Sequence, residues 1–209
     1  MGRPSLAERD PYDRDRVVDV ALGVFMERGY DGTSMADIAR ALGVHKSSIY
    51  HHVAGKEQLL DDAVKRALNA LHGMLAEPAA VEGRALDRLR YVIRRTVDIM
   101  VRQLPEVTVL LRVRGNTPTE RWALSRRRDF DRAVQAILTE AVRAGDLRDD
   151  LEPGLATRLL FGMSNSVTEW YQVGGRLSAE DLAAAITTIV FSGLRQQRPV
   201  TEASADKQG

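Results

Sequence analysis

Cysteine is absent from this 209-residue sequence, which excludes disulfides, thiolate chemistry and zinc–cysteine sites together. Long apolar runs are missing too: no stretch approaches the roughly 18 residues that a membrane span needs. The opening MGRPSLAERDPYDRDR is too charged for a secretory signal, so a cytoplasmic chain with no membrane partner is expected. Charge of one sign is also lacking. The formal net charge is +1, and residues 1–56 balance eight Lys/Arg against eight Asp/Glu. No global field draws this chain to a polyanion, so any nucleic-acid surface has to be local.

Enzyme signatures are equally scarce. No paired carboxylates sit in an apolar context, no metal-ligand spacing occurs, and no Gly-rich loop opens a helix after a strand. His51 and His52 are adjacent, so on a helix they diverge by about 100° and cannot share a metal. No catalytic residue, metal site or cofactor is therefore expected.

What the sequence has is helical periodicity, with no convincing strand alternation. Residues 14–28 place Val17, Val18, Ala21, Leu22, Val24 and Phe25 on one stripe, between Asp13 as N-cap and Gly29 as terminator. Ser34 opens a second helix with Asp37 three residues on, a capping-box pattern; Met35, Ile38, Ala39 and Leu42 form its apolar side, and Gly43 stops it. A short third helix covers residues 46–50 and a fourth runs from about 56 to 76. After a loop at 77–83, Leu86, Leu89, Ile93, Val97 and Met100 mark a fifth that ends before Pro105. Val107, Leu110 and Leu111 suggest a short sixth. Thr117-Pro118-Thr119-Glu120 starts a seventh, with Pro at the first helical position and Glu at the third, reaching residue 144. The eighth shows Leu155, Leu159, Leu160, Met163, Val167 and Trp170 on one face. Ser178 and Asp181 cap a ninth that carries Leu182, Ala185, Ile186, Ile189, Val190 and Leu194. The expectation is an all-α protein of about nine helices, with a polar, disordered tail at 199–209.

The informative segment is Thr33-Ser-Met-Ala-Asp-Ile-Ala-Arg-Ala-Leu-Gly43-Val-His-Lys-Ser-Ser-Ile-Tyr50-His-His. Two short helices share a turn at Gly43, and Ala39 is small where they must cross, as a helix-turn-helix requires. The second helix offers His45, Lys46, Ser47, Ser48, Tyr50 and His51. Short or hydrogen-bonding side chains suit close approach to phosphates and base edges. Taken alone, such a cluster is equally the mark of a solvated helix face, and Tyr50 equally a half-buried aromatic.

GYDGTSMADIARALGVHKSSIYHHVAGKEQLL resembles the DNA-binding signature of the tetracycline-repressor (TetR) family, over about residues 14–70. One departure is Val53, where the family usually has Phe; packing rather than DNA contact should feel it. The resemblance implies a head at 1–56 (motif about 34–53) and a ligand-binding and dimerisation domain at 57–198. It implies double-stranded operator DNA, a small-molecule inducer and a second copy of the chain as partners. Carried over by position, Thr33 and Ser34 would meet a phosphate at a helix start. Lys46, Ser47 and Ser48, with His45 beside them, would face the major groove, Lys46 as base reader. Tyr50 and His51 would hold flanking phosphates, and Lys56 another. The arm Gly2-Arg3-Pro4 could enter a minor groove or fray.

The family fold further implies that the eighth and ninth helices pair with their copies in a homodimer. Gly162, Ser164, Ala184, Ala185, Ser192 and Gly193 would permit close approach; the same faces could instead pack within one subunit. The effector pocket is expected between the fifth, seventh and eighth helices, lined by Met100, Leu104, Leu111, Trp122, Phe130, Phe161, Asn165 and Thr168, each of which could also be ordinary core. Asn165 and Thr168 would supply polar recognition. Arg112, Arg114, Arg121, Arg126, Arg127, Arg128 and Arg132 form either a solvated face or a site for an anionic head group. Residues 170–178 partly resemble the turn of members that respond to acyl-CoA thioesters. A repressor released by such a ligand, of fatty-acid or aromatic-acid catabolism genes, is the expected function; an activator or a ligand-blind DNA-binding protein is the alternative.

Overall fold

The computed structural model describes residues 13–194, and within them every regular element is an α-helix. They are α1 (Arg14–Arg28), α2 (Met35–Leu42), α3 (Lys46–Ile49), α4 (Lys56–Leu75), α5 (Pro78–Val81), α6 (Ala85–Arg102), α7 (Leu104–Arg112), α8 (Pro118–Arg143), α9 (Pro153–Asn165), α10 (Val167–Trp170) and α11 (Ala179–Leu194). The Gly2-Arg3-Pro4 arm and the 199–209 tail lie outside the described residues.

Caps decide the boundaries. Asp13 accepts the Arg16 amide at the start of α1, and Ser34 and Asp37 form a reciprocal capping box on α2. Gly43 ends α2 at φ 73°, a left-handed turn that favours glycine. Thr117 accepts the Glu120 amide to open α8, and Ser178 with Asp181 caps α11 as expected.

Two expectations need correction. The segment 77–83 is not all loop, because Pro78 at the first turn starts the four residues of α5. The eighth helix does not reach Trp170. It breaks at Ser166, whose hydroxyl donates to the Met163 carbonyl at 2.7 Å, while Thr168 Oγ1 takes the Asn165 carbonyl at 2.9 Å. Hydroxyls that bond locally compete with the helical ladder, and α10 restarts after the break.

The core forms around α4. Its Leu59, Leu60, Ala63, Val64, Ala67 and Leu68 are buried almost completely, and it packs on α7 and α8 as well as on α1. A single element thus belongs to both ends of the molecule, the helix-turn-helix at one and the α6–α11 bundle at the other.

Candidate nucleic-acid interface and effector cleft

α3 is only four residues long, too short to be stable by itself. It stays in place because Ile49, 1 % exposed, anchors its inner face beside Ile38, Leu42 and Val53 in the same core. Its outer face is open: His45, Lys46, Ser47, Tyr50 and His51 are exposed and Ser48 is half-buried. The Lys46 ammonium lies 5.9 Å from the Tyr50 ring centroid, so the two sit on one surface. Val53 is buried, which fits a packing role for that position.

At the start of α2 the structure departs from the expectation. Thr33 is 3 % exposed and its hydroxyl donates to the Gly29 carbonyl at 2.7 Å, so it is not presented to a phosphate. The Ser34 hydroxyl and amide both donate to Asp37 Oδ2, at 2.5 and 3.0 Å. Both Ser34 donors are thus engaged by the capping carboxylate in this form. Lys56 is likewise drawn inward, donating to the Tyr30 carbonyl at 2.8 Å with its ammonium 4.3 Å from the Tyr30 ring centroid. Burial, and then Glu57, Glu120 and Asp31, push the Tyr30 hydroxyl up to about 12.

Asp37 holds this corner together. Its Ser34 bonds, followed by Arg40 and Arg28, lower its carboxyl to about 2. A depressed folded-state pKa stabilises above the unfolded value of about 4 and loses that effect as pH falls toward 2. The Asp37→Asn chain is therefore expected to melt below wild type at about pH 6, with the gap shrinking between about pH 4 and 2. A gap that is constant over that range would show that the carboxylate charge contributes nothing.

The other site lies in the helical bundle. An apolar cavity of about 40 Å³ is walled by Met100, Leu111, Phe130, Phe161 and Asn165 among the expected residues, joined by Leu68, Leu71, Thr96, Val107, Leu110, Arg127 and Asp131. Leu104 and Trp122 are not among its walls. Leu104 opens α7, where its carbonyl accepts from Thr108. Trp122 is exposed on the outer side of α8, its ring facing Lys65 of α4 at 5.8 Å. Thr168 lines a neighbouring surface cleft of about 310 Å³, not the cavity.

Arg127, Asp131, Phe161 and Asn165 also line an outer cleft of about 610 Å³ between α8 and α9. Arg127, Arg128, Arg132 and Arg158 line it, against Asp131 and Glu152. Glu152 is already engaged, accepting the Gly154 and Leu155 amides at 2.8 and 2.6 Å. Desolvation lowers the Arg127 pKa and raises that of Asp131, one turn later on α8. The arginine run is thus divided. Arg112 bonds the Met26 carbonyl and Arg121 the carbonyls of Gly115 and Asn116; Arg126 and Arg132 both pair with Asp129, and Arg127 Nη1 donates to the Leu110 carbonyl at 3.5 Å. Arg158 was missed from sequence because it stands alone on α9.

Comparison with known proteins places the chain in a family. Residues 17–63 match the bacterial regulatory proteins of the tetR family, and residues 82–194 match the tetracyclin repressor-like C-terminal domain. The chain belongs to the TetR family. It is a DNA-binding transcriptional regulator, and no described helix is long and apolar enough to cross a membrane. Among relatives, the HTH-type transcriptional repressor KstR2 of Mycolicibacterium smegmatis is 26% identical over 188 residues, covering 88% of this chain and 92% of that one. A TetR transcriptional regulator of Streptomyces coelicolor A3 superposes with a TM-score of 0.81 at 51% identity, over 94% of this chain and 96% of the other. AibR in complex with isovaleryl coenzyme A and operator DNA shares the fold at TM-score 0.72 and 23% identity, over 85% and 97%.

Proposed function

We propose that this TetR-family chain is a repressor that binds two-fold operator DNA as a homodimer and leaves it when an acyl-CoA thioester binds. The observation that carries the ligand class is the cleft lined by Arg127, Arg128, Arg132 and Arg158, which shares a wall with an apolar cavity. Arginine forks match phosphate geometry, and the cleft is wide enough for most of a ligand of drug size. The cavity behind it is apolar, which suits an acyl end, but at about 40 Å³ it has to widen as the ligand enters. The AibR complex shows one member of the fold with a ligand of that kind.

On the DNA side, Lys46, Ser47 and Ser48 enter the major groove, with His45, Tyr50 and His51 at the flanking backbone. Thr33, Ser34 and Lys56 position these groups from inside the head. The boundary between head and regulatory domain is set at Lys56, where α4 leaves the helix-turn-helix. The relatives named are transcriptional regulators, and no catalytic role is assigned to any residue.

The test uses an operator duplex selected from random DNA. Isovaleryl-CoA should weaken operator binding by about fivefold or more, the low end of ordinary allosteric coupling, while isovalerate lacks the phosphates and acts weakly. Reversing Arg128 and Arg132 to Glu should blunt the response and leave operator affinity within about twofold. If an uncharged molecule releases the operator and CoA thioesters do not, the ligand class is wrong and the repressor reading stands.

A further inference from the structure

Glu120 lies at the head end of α8 and is 3 % exposed, a buried carboxylate that forms no ion pair among the described residues. A Glu at the third helical position ordinarily reaches back to the N-cap amide. Instead its Oε2 accepts the backbone amides of Arg114, Gly115 and Asn116, at 3.3, 2.7 and 2.6 Å. Three successive amides around one anion form a nest, and the charge holds the backbone more tightly than neutral partners would. Gly115, at φ 95°, makes the turn possible. Residues 113–117, the connection between α7 and α8, are thereby fixed in one shape.

Both helices joined by this connection wall the cavity: α7 through Val107, Leu110 and Leu111, α8 through Arg127, Phe130 and Asp131. Its flanks reach the DNA-binding head at three places. Arg112 Nη1 donates to the Met26 carbonyl at 2.8 Å, satisfying one of the acceptors that the end of α1 leaves without a helical partner. Asn116 Nδ2 donates to Asp31 at 3.3 Å, in the connection from α1 to α2. Thr119 Oγ1 donates to Glu57 at 3.4 Å, at the start of α4. By contrast, Arg14–Asp62 and Arg66–Asp15 tie α1 to α4 without touching the cavity.

We infer that Glu120 is the positioning residue through which effector binding reaches the DNA-binding head. Its carboxylate makes residues 113–117 a stiff strap, and Arg112, Asn116 and Thr119 pass the strap's movement to Met26, Asp31 and Glu57. A soft connection would absorb a shift of α7 against α8; a stiff one carries it to the end of α1. The inference rests on the reading that an effector fills the cavity and cleft, and adds the route by which it acts. Coupling of this kind is reciprocal, so it can be measured from either site.

The decisive experiment compares wild type, Glu120→Gln and the surface double variant Arg112→Ala/Asn116→Ala. Operator affinity is measured with and without isovaleryl-CoA. Amide exchange along α9 is measured with and without operator, which needs no effector. Wild type should show about a fivefold or larger change in each measurement, and both variants less than about twofold. Operator affinity without effector, and the melting temperature, should stay close to wild type in the double variant, a split that a merely structural role would not produce. If Glu120→Gln does not fold, the double variant decides. Full coupling in the double variant, or in a folded Glu120→Gln chain, overturns the inference. So does wild-type α9 exchange that ignores the operator, since nothing would then be transmitted. A wild type that responds to operator through α9 but not to isovaleryl-CoA refutes the ligand reading and leaves the strap standing.

Discussion

A chain carrying Leu159→Arg and Ile189→Arg is expected to be monomeric and to bind a full operator about a hundredfold more weakly than wild type, or worse. Leu155 and Leu159, 47% and 62% exposed, lie one turn apart on α9 and are followed by the exposed Gly162; Leu155 and Gly162 also edge the arginine cleft, which therefore borders this stripe. On α11, Ala185, Ile189, Ser192 and Gly193 form a second exposed stripe with the same spacing, Ile189 at 62%. α9 and α11 touch each other, and their opposite faces are already used: Leu160, Leu182, Ile186 and Val190 are in the core. An apolar surface of that extent beside small residues is the mark of a helix-on-helix interface. Burying two arginines in it, and their symmetry mates across the two-fold axis, leaves unpaired charges in an apolar contact.

The effect on DNA is large because a dimer binds its second half-site at high effective concentration. That linkage is worth about 10²–10⁴ in affinity, and a monomer forfeits it. Sedimentation velocity gives the oligomeric state, and titration of full and half operators gives the linkage. A variant that stays dimeric would move the interface elsewhere. A monomer with full operator affinity would refute the two-fold reading.

The helices and the head were legible in the sequence because local chemistry decides them. Asp13, the Ser34–Asp37 box, Gly43 and Ser178–Asp181 each act within four residues, and the structure shows each as read. The α9 stripe was legible only as apolar. Leu160, with Val167 of α10, packs inside the subunit, while Leu155 and Leu159 face out, and periodicity alone does not separate the two. What failed were roles that depend on residues far apart in the chain. Lys56 looks like a free cation until Tyr30, 26 residues earlier, takes its ammonium. The seven arginines looked like one cluster, yet Arg112 belongs to Met26, 86 positions away, and the effector cleft takes Arg158 from another helix. Glu120 read as a capping residue because its three amide partners lie before the helix, where the helical pattern stops.

Lys46→Ala is expected to cost about 1–3 kcal/mol of operator affinity per half-site, and about twice that for the dimer, if its ammonium reads a base edge. Lys46 is the first residue of α3, the helix end that enters the major groove in helix-turn-helix proteins. It is exposed and forms no ion pair among the described residues, and the Tyr50 ring 5.9 Å from its ammonium lies on the same outer face. The side chain also lies outside the packing that holds α3, which Ile49 supplies from the opposite face, so truncation should leave the head folded. The informative quantity is the ratio of losses on operator and on random DNA. A base contact weakens the operator much more than random sequence. A phosphate contact weakens both alike and lowers the slope of log affinity against log salt by about one unit. Losses that are equal, with that change in slope, would reassign Lys46 to the backbone and leave Ser47 and Ser48 as the readers. No loss on either DNA would remove α3's first turn from the interface and with it the docking geometry proposed for the head.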